Sequence, residues 1–226
     1  ADATTPLRDG VAENCIFIWL GGGMSQIDTF DPKRRGDPKS RTPGSDYEAI
    51  DSCVHGVQVC EHLRRVADRM DRMTAIRSVH HEVINEHAAA VNRVHTGRPI
   101  SGTVSYPSIG SVVSNQRGAV DPGIPAYVMI GYPNVTRGPG FLGAKDGYLY
   151  LTDTDSGPAG LMRPEMVTPS RVDRRSELLD VLRQSSRQRD RLAGSVAMQS
   201  YDEALLASRR LAGPEFMKVF DLANEQ

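Results

Sequence analysis

The chain is expected to fold as an α/β protein, because runs with the composition of buried strands alternate with helical periodicity. Cys15 to Leu20 (CIFIWL) is apolar throughout, with β-branched and aromatic members, as in a strand buried on both faces. From Glu61 to Arg72, Leu63, Val66, Ala67 and Met70 fall on one helical face, and Arg64, Arg65, Asp68 and Arg69 on the other. Such a helix is expected to pack on a sheet. Met73 to Val79 (MTAIRSV) follows with the alternation of a strand, and helix followed by strand is the α/β repeat.

The first strand runs directly into Gly21, Gly22 and Gly23, which permit a sharp turn and close backbone approach to a ligand. Gln26, Asp28, Asp31 and Asp37 come next. In α/β proteins ligands bind at the carboxyl ends of parallel strands, so this stretch is a candidate site edge, and the competing reading is a core strand followed by a solvated acidic turn. Pro32 to Asp46 has little apolar content and many turn formers, as in an exposed loop.

Cys53, His55, Cys60 and His62 form two Cys-x-His pairs. Zinc accepts these residue types, but the spacing fits no standard finger; the alternatives are a single Cys53–Cys60 disulfide or an ordinary loop. Cys15 lies in the apolar run, so three cysteines do not make a disulfide framework.

Four of the six histidines, His80, His81, His87 and His95, fall within residues 80–95. Asn85 is the expected N-cap of a helix carried by Ala88 to Ala90, Val91 and Val94, ending before Thr96-Gly97 and Pro99. His87 then stands in its first turn, where free N–H groups and the helix dipole favour an anion beside His80, His81 and His87. A lone histidine is usually a packing or surface residue; a cluster where strand meets helix points to a site.

Further along, Ser108 caps a short expected helix with Ile109, Val112 and Val113 as its apolar side, and Ala126 to Ile130 is a third strand between Gly and Pro. Asn134 to Val167 is expected to be a long loop with Tyr148 to Leu151 as its strand-like piece. Two amphipathic helices, Asp173 to Leu192 and Met198 to Leu211, separate near Gly194, and Pro214 opens a last helix, Glu215 to Leu222. Residues 173–226 are thus expected to form a helical outer layer on one α/β domain spanning 1–226, with 1–12 a flexible leader.

Composition narrows the functions. A formal net charge of -1 with 24% charged and 39% hydrophobic residues gives no sign of a nucleic-acid protein or a disordered chain. The arginines of 171–191 are interleaved with acids and lack aromatics, so they read as a solvated face. No apolar run approaches the ~20 residues that span a bilayer, so no membrane span is expected. The small, polar opening ADATTPLRDG fits a segment left after removal of an export signal, so a periplasmic or extracellular location is expected.

FIWLGGGMSQIDTFDPK (Phe17 to Lys33), VCEHLRRVADRMDRMTAIRSVHHE (Val59 to Glu82), HTGRP (His95 to Pro99), PSIGSVVS (Pro107 to Ser114) and AGPEFMKVFDL (Ala212 to Leu222) occur in that order. In these motifs the chain resembles the bacterial family called domain of unknown function 1501, of the alkaline phosphatase and sulfatase superfamily. The resemblance implies a three-layer α/β/α sandwich, here incomplete at its C-terminal side, the chain being similar to the N-terminal portion of a longer domain. It also implies a metal-dependent hydrolase of phosphate or sulfate esters acting on a small-molecule or glycan substrate, with a divalent metal: zinc, calcium or magnesium. On that resemblance Asp28, Asp31 and His81 are the expected metal ligands, Gly22, Gly23 and Arg98 the anion-binding groups, and His87 and Asn85 the catalytic residues.

Two departures stand out. The superfamily's first metal-binding Asp follows the first strand directly, where this chain has glycines. Its nucleophile position, counted back from Thr96, falls on His87 instead of Ser, Thr or Cys, a residue better suited to ligand or general base. After His95 the sequence contains no histidine, so the 226-residue chain alone is expected to be poorly active. The alternative is a non-catalytic exported binding or structural protein on the same scaffold.

Overall fold

A computed structural model describes residues 10–21, 23–121, 123–131, 137–152, 154, 157–158, 161, 164, 166–185, 195–212 and 214–221. Helix and strand content is mixed, as expected of an α/β chain. The chain divides into two compact units, Ala1–His80 and His81–Gln226.

The first unit is built on an antiparallel hairpin. Strands β1 (Ala49–Asp51) and β2 (Gln58–Cys60) pair with Ala49 opposite Cys60 and Ile50 opposite Val59. Against it packs the segment that periodicity marked as a helix, here broken into a 3-10 turn (Glu61–Leu63), helix α1 (Arg64–Ala67) and a second 3-10 turn (Met70–Arg72). The predicted face survives the breaks: Val59, Ala67 and Met70 form a buried cluster, joined by Leu63, Val66, Ile50, Val54, Val57 and Phe30. Burying a side chain such as Val59 or Met70 contributes about 1.5–3 kcal/mol.

A hydroxyl locks the acidic loop to this core. Ser45, 1% exposed, donates to the Ile27 carbonyl at 2.6 Å and accepts from the Lys33 N–H at 2.7 Å. The Cys60 N–H reaches the Thr29 carbonyl at 2.8 Å. Between Arg34 and Ser45 the chain folds back on itself so closely that a Cβ on Gly44 would stand 2.1 Å from the Arg34 carbonyl oxygen.

Two predicted strands do not form. Cys15 to Leu20 and Met73 to Val79 carry no regular structure, with Ile16 89% and Val79 75% exposed. A strand stands only where a neighbour completes its hydrogen-bond ladder, and among the described residues no ladder includes either run.

The second unit begins with helix α2 (His87–Thr96) and helix α3 (Ile109–Arg117). Ser108 caps α3 as expected, accepting from the Ser111 N–H. The buried side of α3 is not the predicted one: Ser108, Ser111 and Ser114 are buried while Ile109, Val112 and Val113 are exposed. Small residues let neighbouring chain come close, and a buried hydroxyl there needs a partner. Ser108 Oγ donates to the Arg137 carbonyl at 2.8 Å, and the Tyr127 ring lies against Gly110, 2.4 Å from where a Cβ would stand.

Strands β3 (Val128–Ile130) and β4 (Leu149–Leu151) form a parallel pair, Met129 opposite Tyr150, with Met129 and Leu151 buried. Both fall within segments expected to be strands. Helix α4 (Pro169–Ser185) and helix α5 (Val196–Leu211) fall where two amphipathic helices were expected, although Leu178, Val181 and Leu182 of α4 are exposed, and Pro214 starts helix α6 (Pro214–Met217). The region about Gly194, the end of the first of these helices at Leu192 and residues 1–9 of the leader lie outside the described residues. Arg183 on α4 pairs with Asp202 on α5 at 2.7 Å. Helix α5 packs on the 3-10 turn Ala144–Asp146, where the Lys145 N–H donates to Ser200 Oγ at 3.2 Å. Asp146, also buried, accepts from Asn115 Nδ2 of α3 at 2.9 Å.

The Gly44 contact is with backbone, which cannot swing aside as a side chain can. Gly44→Ala should therefore destabilise the first unit by about 1–3 kcal/mol, read as a lower urea midpoint with early exchange of the Ser45 amide. An unchanged midpoint would show that the loop yields freely.

Candidate functional site

The expected site residues divide between the units. Asp28, Asp31, Gly23 and His80 belong to the first unit; His81, Asn85, His87 and Arg98 belong to the second. Gly22 lies outside the described residues, and Gly23 adopts a left-handed φ of 90°.

In the first unit a 3-10 turn, Gln26–Asp28, places the two acids on one short loop. Asp28 Oδ1 accepts from the Asp46 N–H at 2.8 Å. Asp31, with its side chain 16% exposed, stands between two cations, Lys33 Nζ at 2.7 Å and Arg77 Nε at 3.7 Å. Arg77 also donates to the Gln58 carbonyl at 3.0 Å. The loop after the glycines is thereby tied to the chain three residues before His80. Asp37 serves its own turn: Ser40 Oγ and the Lys39 N–H donate to it, and these bonds hold its carboxyl below the usual carboxylate value.

In the second unit the Val83 N–H donates to His81 Nδ1 at 3.2 Å, which puts the proton of a neutral ring on Nε2. Glu82 reaches Arg93 on α2 at 2.8 Å, fastening the His81 turn to the helix. The Glu82 carboxyl sits below its ordinary value, through its own backbone N–H first and the Arg93 charge after it.

The N-cap of α2 is Glu86, a correction to the expectation of Asn85. Asn85 has a left-handed φ of 56°, whereas a capping residue needs the extended backbone that Glu86 adopts at φ −137°, ψ 103°. The Glu86 carboxylate accepts from the Ala88 N–H at 2.9 Å and from the Ala89 N–H. A negative group of the chain itself thus occupies the helix end where an external anion was expected. His87 holds its predicted place in the first turn and is exposed. At the other end Gly97, φ 69°, closes the helix with its N–H on the Arg93 carbonyl.

Arg98, an expected anion-binding group, has its guanidinium over the Tyr106 ring, 5.9 Å from the centroid. His95 is 5% exposed and engages the Val91 carbonyl through Nδ1 at 2.8 Å. It is a packed core histidine of α2, unlike the exposed His80, His81 and His87.

The Cys53, His55, Cys60 and His62 group does not assemble. Cys60 is buried at the end of β2, Cys53 Sγ turns to Asp71 Oδ1 at 3.6 Å, and His62 packs edge-on against Tyr47. Cys53 and Cys60 are free thiols. Among the described residues no group of three or more His, Cys, Asp or Glu side chains is placed to hold a metal ion. The donor types do suit a divalent cation: Asp28 and Asp31 offer carboxylate oxygens and His81 an imidazole. Binding through His81 Nε2 would require the other tautomer, with the proton on Nδ1, and so the loss of the bond from the Val83 N–H.

Sequence reasoning missed the Glu86 cap and the Asp31–Arg77 pair. Glutamate is not a favoured capping residue, so α2 gave no capping signal at that position, and Asp31 and Arg77 are too distant in sequence for any local pattern.

Glu86→Ala should lower the stability of the second unit by about 1 kcal/mol, with a loss of helical ellipticity. Asn85→Gly, which suits a left-handed backbone, should leave both unchanged or improved. The opposite ranking would restore Asn85 as the cap.

Burial holds the His95 imidazole below its ordinary value of 6.5, Arg137 lowers it further, and the Val91 carbonyl opposes them. Because the folded value is depressed, the neutral ring stabilises the fold fully above that ordinary value. The contribution drains away as pH falls from there through the folded value. Thermal melts from pH 8 to pH 5 should show this loss, and His95→Gln should flatten it; equal pH dependence in the variant would exclude His95 as its source.

Neither a curated protein nor a solved structure matches the chain. The family described as Protein of unknown function (DUF1501) matches residues 12–226. That match takes in the acidic loop, the histidine segment and the late helices together, and the chain therefore belongs to the DUF1501 family.

Proposed function

We propose that this chain contributes to a metal-dependent hydrolase of phosphate or sulfate esters, built on the three-layer α/β/α sandwich of the alkaline phosphatase and sulfatase superfamily. The observation that carries the reading is the Asp31–Arg77 ion pair, because it links the acids after the glycine turn to the segment leading into the histidines.

In this reading Asp28, Asp31 and His81 are the residues that would hold the cation. When bound, a divalent metal supplies a Lewis acid for the ester oxygens and lowers the pKa of a coordinated water. His87, exposed at the start of α2, takes the proton of the attacking water as its oxygen joins phosphorus or sulfur. The ester oxygen departs as the alcohol and recovers a proton from the imidazolium. Asn85 orients the water, while Gly23 and the guanidinium of Arg98 would receive the anion, Gly22 lying outside the described residues. The substrate class is a small-molecule or glycan ester, and the setting is outside the cytoplasm.

A second reading, an exported binding or structural protein on the same scaffold, is favoured by the Glu86 carboxylate. It satisfies the N–H groups of α2 on which a substrate anion would rest. Metal analysis of the purified protein, with turnover of an aryl phosphate and an aryl sulfate, separates the two. The hydrolase reading expects bound divalent metal that drops at least tenfold in Asp28→Ala and His81→Ala, and turnover that is weak in this chain but abolished by His87→Ala. Metal content indifferent to both substitutions would reject the site, and bound metal without turnover on either ester would favour the binding protein.

A further inference from the structure

We draw no further inference here: the strongest candidate, the exposed apolar face of helix α3 formed by Ile109, Val112 and Val113, carries nothing because nothing among the described residues shows what covers it.

Discussion

Each regular strand of this protein stands because another strand completes its hydrogen bonds. β1 and β2 share a hairpin, so their partners lie close along the chain, and the helical segment after β2 can fold straight back over Val59. β3 and β4 meet in parallel and need the intervening chain to cross over. That crossover carries 3-10 turns at Gly140–Leu142 and Ala144–Asp146, and the latter meets α3 and α5. Backbone pairing thus decides which apolar segments become strands, and the packing of the remaining elements follows from it.

Polar side chains take on unusual structural weight in both units. Ser45 fixes the acidic loop with two hydrogen bonds at almost no exposure. Ser108 and Ser200 anchor loop backbone to α3 and α5, and Asp146 is held by Asn115. The hydroxyls of Ser45, Ser108 and Ser200 have partners, so desolvation is compensated while small volume allows close approach. The same economy governs the candidate site: Glu86 answers the free N–H groups of α2, and Lys33 and Arg77 answer Asp31. Asp31, proposed as a ligand, is matched by the chain's own cations. Binding on this reading is an exchange of partners, with affinity set by the difference between internal and external counter-charges.

What was legible from the chain alone was local. The apolar face of Leu63, Val66, Ala67 and Met70, the cap at Ser108, the starts of α5 and α6 and the left-handed stop at Gly97 depend on residues within about a turn of one another. So do the positions of β3 and β4, bounded by Gly and Pro or by tyrosines in alternation. Residue types also placed both acids on one loop and His87 in the first turn of its helix.

Tertiary structure decided whatever depended on distant partners. The apolarity of Cys15 to Leu20 was plain in the sequence, yet apolarity confers no strand without a ladder. Helical spacing gave α3 an apolar stripe, but the side that is buried was chosen by Tyr127 and the Arg137–Gly138 backbone, which fit against serine and glycine. Asn85 had the right chemistry for a cap and lost the role to Glu86 because its backbone turned left-handed. Asp31 met Arg77 across forty-six positions through folding alone. Local periodicity and capping chemistry belong to the sequence by itself, because their energies arise between near neighbours. Pairing, burial and the counter-charges of the site belong to the fold, because their energies arise between groups that only the folded chain brings together.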